Sequence, residues 1–202
     1  SVGRVRTDLG LPVRAPEAIV DHVNRGMGHL YMSCFDDLPE LVDEQSEAFE
    51  RVRLAYCADY ADHIADSTRL YDGIEQALEA LSEMATLAVV TNKPEALSIA
   101  LLDALGVLGR FDAIIGGDTC AQAKPHPLPL ATAADRVGVQ HGRETVIMVG
   151  DSAGDIRCGQ AFGATTVWCA WGYRPLPDDL AADHDAVRPA DLARWVASLT
   201  RR

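Results

Sequence analysis

Lysine is almost absent from this chain of 202 residues, which contains only two lysines against 16 arginines. Basic residues as a whole are also few, with 18 Lys and Arg against 30 Asp and Glu and a net charge of −12. Such a charge repels nucleic acid and anionic lipid unless a local basic patch overrides it, and the sequence has no such patch. We therefore expect neither nucleic acid nor a membrane surface as a partner.

Long apolar runs and paired cysteines are missing as well. No run approaches the ~18 residues that a membrane span needs, and the first residues contain no signal-peptide core. The five cysteines are odd in number and irregularly spaced, with no Cys-x-x-Cys pair. This pattern indicates neither a disulfide framework nor a zinc site, so we expect reduced thiols and a cytoplasmic protein.

The hydrophobic pattern changes character near residues 65–73. Apolar residues before this point recur at helical spacing, and Asp37 is expected to cap a helix whose apolar face begins at Leu38. After it, short apolar strands alternate with amphipathic helices, the predicted strands being 87–91, 112–117, 145–151 and 164–170. Strands buried on both faces and separated by helices predict an α/β fold with a doubly wound, parallel, Rossmann-like sheet.

Three parts of the chain follow from this pattern. Residues 1–14 precede the helical segment and show no strand alternation. Residues 15–70 are expected to form a helical domain inserted near the N-terminus, and residues 71–202 the α/β core.

Both lysines stand in loops and are followed by proline. The strand 87–91 runs into Thr91-Asn92-Lys93-Pro94, where a hydroxyl, backbone amides and a helix start predict an anion cradle. Lys124 lies in the loop sequence AKPHP, and a compact ammonium suits contact with a phosphate oxygen and a carboxylate together. We expect Lys124 to act in this cradle and Lys93 to have a secondary role.

Two carboxylates follow the strand 145–151. Asp151 and Asp155 lie four residues apart in VGDSAGD, so they can share one side of the next loop and helix start. Carboxylate oxygens without histidine or cysteine nearby suit Mg²⁺, a hard cation. The sequence therefore predicts a magnesium site after this strand.

Together these motifs resemble those of the haloacid dehalogenase superfamily, and specifically its phosphoglycolate phosphatase group. The resemblance rests on the segments YDGIEQALEAL, LAVVTNKPEA, FDAIIGGD, AKPHPLPL, VIMVGDSAGDI and WGYRP. It implies a Mg²⁺-dependent phosphomonoesterase in which a helical cap domain covers an α/β core. The implied substrate is a small phosphorylated metabolite, 2-phosphoglycolate first among them. Gly26 and Gly28 resemble a Gly-x-Gly stretch of that cap, and we expect Arg25 beside them to meet the carboxylate of the substrate.

The resemblance also implies a role for each residue of the core. Thr91 and the backbone of Asn92 would hold the transferring phosphoryl group, and Lys124 would neutralise its charge. Asp151 would ligate Mg²⁺, with Asp155 supporting it directly or through water. Positioning and charge stabilisation of this kind are how phosphoryl transfer is generally catalysed.

One motif of the family is absent, namely an apolar first strand ending in DxDGT. That strand supplies the nucleophilic aspartate, which forms an aspartyl-phosphate, and a second aspartate that acts as acid and then base. The resemblance also implies that residues 1–14 are the end of the first core helix, which follows that strand, with a linker. We expect the chain without the strand to be inactive, and roughly 20 upstream residues to carry it by ordinary element lengths. In the family this strand lies between the strands 87–91 and 145–149, so its absence predicts an unfilled slot there.

Three other functions remain open at this stage. The same chemistry could act on a sugar phosphate or a nucleotide, because substrate choice depends on a few cap residues. A catalytically dead phosphate-binding or regulatory protein would explain the missing motif. A receiver-type domain is disfavoured by the large helical insertion. The oligomeric state is not readable from the sequence.

Overall fold

The computed structural model describes residues 1–23, 26–139, 145–172 and 175–199. Its N-terminal part is helical, with α1 (Val2–Asp8), α2 (Pro16–Val20), α3 (Met27–Cys34) and α4 (Glu47–Asp62). No helix in the described part of the chain combines the length and the hydropathy needed to span a membrane.

The first four helices share one hydrophobic core. Tyr31 and Phe35 are almost completely buried in it, as is Val52 of α4. Val2 and Val5 of α1 belong to the same core, so α1 packs against the helical segment. The division of the chain into domains stays a prediction.

A buried arginine fastens α1 to the turn that follows α3. The side chain of Arg6 is 1% exposed, and its guanidinium donates to the carbonyl oxygens of Pro12 and Cys34 and to both carboxylate oxygens of Asp37. The expectation that Asp37 caps a helix is therefore wrong, because its carboxylate is used by Arg6. The next helix begins only at Glu47, where the Ser46 hydroxyl accepts a hydrogen bond from the Phe49 amide at 3.2 Å.

The remaining residues form alternating helices and strands, as predicted. The elements are α5 (Ile74–Ser82), β1 (Ala88–Val90), α6 (Glu95–Ala104), a 3-10 turn at Leu108–Arg110, β2 (Ala113–Ile115), α7 (Leu128–Arg136), β3 (Ile147–Gly150), α8 (Ala153–Phe162), β4 (Thr165–Cys169), β5 (His184–Ala186) and α9 (Pro189–Leu199). All four predicted strands are confirmed with narrower bounds. The sequence analysis did not predict β5 or α9.

Every strand pair is parallel, which confirms the doubly wound α/β class. The described strands form two separate sheets, however, one of β1 and β2 and the other in the order β3-β4-β5. β1, β2, β3 and β5 are each followed by a helix, the usual form of a connection between parallel strands, whereas the described residues between β4 and β5 contain no helix. The loop after the carboxyl end of β1 therefore leads into α6, and the loop after the carboxyl end of β3 leads into α8.

A gap separates β1 from β3. Both strands line the same cavity of about 820 Å³, and apolar side chains of α5 and α7 line it as well. Ala88 of β1 is exposed, and Val149 of β3 is 37% exposed, although interior strands of such sheets are normally buried. This gap lies between the two strands where the sequence analysis expected a slot.

Candidate active site

The loop after β1 is fixed by its own polar groups. The Thr91 amide donates to Ile115 of β2 at 2.9 Å, and the Thr91 hydroxyl accepts from the Lys93 amide at 3.1 Å. Because the hydroxyl is the acceptor in its bond with Lys93, its own hydrogen can still be donated to a ligand. Thr91 thus ends the strand with a positioned hydroxyl, as the predicted anion cradle requires.

The side chain of Asn92 joins this loop to the loop that contains Lys124. Its amide oxygen accepts from the Lys124 backbone N–H at 3.0 Å, and its amide nitrogen donates to the Lys124 carbonyl at 3.1 Å. Two reciprocal hydrogen bonds hold the two loops in register. The predicted role of Asn92 relied on its backbone, and the structure adds a separate positioning role for its side chain.

Lys124 lies at the carboxyl edge of the sheets, where it meets both of them. Its ammonium donates to the carbonyl oxygen of Val90 at the end of β1 and to Oδ1 of Asp155 in α8, each at 2.5 Å. The lysine side chain is 10% exposed and that of Asp155 is 8% exposed. An ammonium has three donors, so two are used within the protein and the third is available to a ligand.

Asp155 is more constrained than the sequence analysis assumed. Its Oδ2 accepts from the amide and the hydroxyl of Ser152 at 2.9 and 2.7 Å, and the Ser152 hydroxyl accepts from the Asp155 amide at 3.3 Å. These reciprocal contacts form a capping box at the start of α8. With Oδ1 on Lys124 and Oδ2 on Ser152, Asp155 acts first as a positioning residue.

Two glycines allow the carboxylates to lie close to the backbone. A Cβ atom on Gly150 would be 2.3 Å from Cβ of Asp155, and one on Gly172 would be 2.1 Å from Cβ of Asp151. No real side chain tolerates such distances, so any other residue at either position would displace a carboxylate. Gly172 follows β4, and the sequence analysis did not identify it or Gly150 as part of the site.

The residues present fit Mg²⁺ in part. Asp151 offers a carboxylate at the end of β3, and hard oxygen donors of this kind are what Mg²⁺ prefers. The carboxylates of Asp151 and Asp155 concentrate negative charge at this edge. Burial first, and these two carboxylates after it, raise the pKa of Cys169 to about 12. Within the described ranges, however, no group of three or more His, Cys, Asp or Glu side chains could hold a metal. The chain therefore supplies an incomplete set of ligands.

The predicted cap residues lie apart from these contacts or outside what the structure describes. Arg25 is outside the described residues. Gly26 precedes α3 with a φ of 95°, a conformation that favours glycine. Gly28 leaves room for the carboxylate of Glu44, whose Oε1 would be 2.6 Å from an added Cβ. The contact of these residues with a substrate stays a prediction.

The sequence analysis also missed an Asp-x-Asp sequence, Asp183-His184-Asp185. It lies at the start of β5, where Oδ2 of Asp183 accepts from the amide and the hydroxyl of Thr166 at 2.8 Å each. Thr166 is near the amino end of β4, so Asp183 lies at the opposite edge of the sheet from Lys124. This pair therefore does not replace the missing nucleophile.

Tyr60 is a further residue that the sequence did not reveal. Its hydroxyl contacts the Lys93 ammonium, although the two residues are 33 positions apart.

The sequence did contain a signal for Ser152, because Ser-x-x-Asp before a helix is a capping pattern. Asp118 accepts from the Glu95 amide at 2.8 Å at the start of α6.

Comparison with known proteins gives one consistent family. A model of the haloacid dehalogenase-like hydrolase family matches residues 17–169. The phosphoglycolate phosphatase of Chromobacterium violaceum is 34% identical over 170 residues, which are 84% of this chain and 75% of that protein. That of Xylella fastidiosa is 42% identical over 121 residues, or 59% of this chain and 52% of its own length.

Solved structures agree with this match. The crystal structure of a protein from Haemophilus somnus, described as a phosphoglycolate phosphatase by prediction, superimposes with a TM-score of 0.81. It is 25% identical, and the match covers 96% of this chain and 88% of that one. A haloacid dehalogenase-like hydrolase from Streptococcus pneumoniae has a TM-score of 0.74 at 21% identity, covering 96% and 88% of the two chains, and shows the shared fold.

Proposed function

The chain belongs to the haloacid dehalogenase-like hydrolase family, and we propose that it is a Mg²⁺-dependent phosphomonoesterase whose substrate is 2-phosphoglycolate. The observation that carries the proposal is the position of Lys124. Its ammonium bridges the carboxyl end of β1 and the start of α8, with one donor left for a phosphoryl oxygen. The curated relatives, which are phosphoglycolate phosphatases, support the choice of substrate.

Three groups of this chain would hold the phosphoryl group. The Thr91 hydroxyl and the Asn92 backbone N–H would donate to its oxygens, and Lys124 would neutralise charge that develops on them. The Asn92 side chain would keep these donors in register through its two bonds to the Lys124 backbone. Donors fixed in advance stabilise a transition state without the cost of reorganisation.

A bound Mg²⁺ would act as a Lewis acid on the phosphoryl oxygens. In this chain Asp151 would ligate it, and Asp155 would keep Lys124 and the start of α8 in position. Because the described residues supply an incomplete ligand set, the remaining oxygen ligands would come from water, from the substrate and from a further strand in the gap between β1 and β3.

The reactive carboxylate would enter on a further strand that fills the gap between β1 and β3. There its oxygen would attack phosphorus as the bond from phosphorus to the ester oxygen breaks. A second carboxylic acid would give its proton to the leaving alkoxide, and water would then hydrolyse the aspartyl-phosphate. The apolar cavity between the sheets and the nearby Lys124 support this arrangement.

Turnover by an extended chain tests the proposal. The extended chain is this chain preceded by an apolar strand ending in Asp-x-Asp-Gly-Thr and a helical linker, roughly 20 residues in all. We expect it to release phosphate from 2-phosphoglycolate in preference to glucose 6-phosphate and AMP. Replacing the first added Asp by Asn, chelating Mg²⁺, or making Asp151→Asn should each lower the rate at least about a hundredfold. Asp179→Asn, at a carboxylate that is 78% exposed, is the matched control and should change little.

Other outcomes would decide between the alternatives. Turnover by the unextended chain would contradict the proposed strand, because the nucleophile would then lie within these 202 residues. Phosphate binding without turnover by either chain would favour a regulatory protein. Preference for the sugar phosphate or the nucleotide would contradict the assigned substrate only.

A further inference from the structure

Lys93 differs from Lys124 in having no acidic partner among the described residues. Lys124 is paired with Asp155, whereas no carboxylate of the described part of the chain lies within 4.0 Å of the Lys93 ammonium. The Lys93 side chain is nevertheless partly buried. A partly desolvated cation without a counter-ion is unfavourable on its own and attracts an anion.

The contact that Lys93 does make is with an aromatic residue of the helical segment. Its ammonium contacts the Tyr60 hydroxyl and lies 3.9 Å from the centre of the Tyr60 ring. A tyrosine hydroxyl that accepts from an ammonium still has its own hydrogen to donate. Lys93 and Tyr60 therefore offer N–H and O–H donors close together, and a carboxylate can accept from both.

Tyr60 is held in place by a chain of aromatic rings. It stacks on Tyr56 with ring centres 5.8 Å apart and an angle of 15° between the planes. Tyr56 in turn meets Tyr31 edge to face at 5.3 Å, and Tyr31 is only 1% exposed in the helical core. The position of the Tyr60 hydroxyl is thus set by the core of the helical segment.

The same loop carries Lys93 and the proposed phosphoryl site. The Lys93 amide donates to the Thr91 hydroxyl at 3.1 Å, so the two residues start from adjacent points of one turn. The Lys93 side chain then runs toward α4, whereas Lys124 lies at the ends of β1 and β3. A phosphate ester held by Thr91 and Lys124 could direct its organic part toward Lys93 and Tyr60.

We propose that the Lys93 ammonium and the Tyr60 hydroxyl bind the carboxylate of the substrate's leaving group. The inference rests on the proposed function and deepens it, because it names the groups that would recognise the carboxylate of the proposed substrate. It also assigns substrate selection to one residue of the core loop and one of the helical segment. The sequence analysis gave Lys93 only a secondary role.

Binding of matched ligands tests the inference. The extended chain with its first added Asp replaced by Asn is titrated calorimetrically, in Mg²⁺, with inorganic phosphate, ethyl phosphate and 2-phosphoglycolate. The two esters have similar size, but only the second has a carboxylate. We expect 2-phosphoglycolate to bind about tenfold to a hundredfold more tightly than ethyl phosphate, as expected for a hydrogen-bonded charged group.

Substitutions then locate the preference. Lys93→Met should abolish it while leaving the affinity for ethyl phosphate and phosphate unchanged, and Lys93→Arg should retain most of it because the charge remains. Tyr60→Phe keeps the aromatic stack and should reduce the preference several-fold. Arg194→Met, which removes an equal charge at a side chain that is 69% exposed, is the control and should preserve the preference.

The possible failures are distinguishable. If phosphate does not bind, the proposed function fails, and the inference fails with it. If phosphate binds but the two esters bind equally, or if Lys93→Met keeps the preference, the inference alone is overturned. Circular dichroism of each variant shows whether a loss of binding reflects a loss of fold.

Discussion

The Lys124 ammonium connects two sheets that do not pair with each other. It binds the Val90 carbonyl at the end of β1 and the Asp155 carboxylate at the start of α8. Both partners lie within 2.5 Å, and the lysine side chain is largely buried. A single point charge thus satisfies two acceptors and keeps a third donor for a ligand.

Substitution of Lys124 is expected to fail even when charge is preserved. In the extended chain, Lys124→Arg should lower kcat for 2-phosphoglycolate about as much as Lys124→Met, on the order of a hundredfold to a thousandfold. The reason is that a planar guanidinium cannot replace a compact ammonium between two close acceptors. Steady-state kinetics measure the effect, with Arg194→Lys, a charge-preserving exchange at a side chain that is 69% exposed, as the control. An arginine variant with near-normal kcat would show that Lys124 does not contact the phosphoryl group.

At the residue scale, the sequence was informative where contacts are local. Asp155 and Ser152 are three positions apart, and a strand end followed by polar residues indicated Thr91 and Asn92. Contacts between distant positions could not be predicted in the same way. The pair of Lys93 and Tyr60 depends on how α4 packs, and no spacing rule connects residues 33 positions apart.

At the scale of elements, the segment 38–46 shows how burial and helix formation can differ. Leu38 and Leu41 are buried, as their helical spacing predicted, but Val42 is 74% exposed. The segment forms successive turns, among them one in which the Asp43 carboxylate accepts from the Gln45 amide at 2.9 Å. Proline at position 39 and such a side-chain bond compete with a helix. Apolar spacing therefore indicated the burial of Leu38 and Leu41 correctly, but it was wrong about Val42 and about the helix.

The ion pair of Arg6 and Asp37 ties α1 to the turn after α3, and its contribution should depend on pH. The Arg6 guanidinium lowers the pKa of Asp37 to about 2 from its ordinary value of 3.8. Folding therefore favours the ionised carboxylate. The stabilisation is fully present above pH 4 and is lost as the pH falls through about 2.

Urea unfolding of the extended chain measures this contribution. Asp37→Asn should lower the free energy of unfolding at pH 6 by about 2 kcal/mol, a value reduced from that of a fully buried pair because Asp37 is partly exposed. The difference from the unsubstituted protein should shrink as the pH approaches 2. Asp179→Asn is the control, since Asp179 is 78% exposed and pairs with neither arginine of this cluster. A difference that is constant from pH 6 to pH 2 would contradict the ionic explanation.

At the scale of the whole molecule, the described chain has a helical core and two parallel sheets with a cavity between them. The sequence predicted the class of fold, the four strands and the position of the gap, because periodicity and the family motifs define them. It did not predict β5 or α9, because β5 has only three residues and neither element carries a recognised motif. It also left open what fills the gap, since that depends on residues with which β1 and β3 would pair.

The backbone around the gap indicates which groups a further strand would use. Within a parallel strand, the N–H and C=O of one residue point to the same side, and the side alternates along the chain. The Leu87 carbonyl and the Thr91 amide are bonded to β2, so the amide of Val90 points into the gap. The Val146 carbonyl accepts from the Thr165 amide of β4. By the same alternation, the amide of Val149, three residues later, points into the gap. Buried amides without partners would cost about 1–3 kcal/mol each.

Amide hydrogen exchange at these positions tests most directly whether a strand carrying the reactive aspartate completes the sheet. In the extended chain, we predict that the amides of Val90 and Val149 exchange at least about a hundredfold more slowly than unprotected amides, approaching the rate of the β2-bonded amide of Thr91. In the unextended chain, they should exchange without protection. If Thr91 is protected in the extended chain while Val90 and Val149 exchange freely, no strand fills the gap, and this account of the active site is wrong.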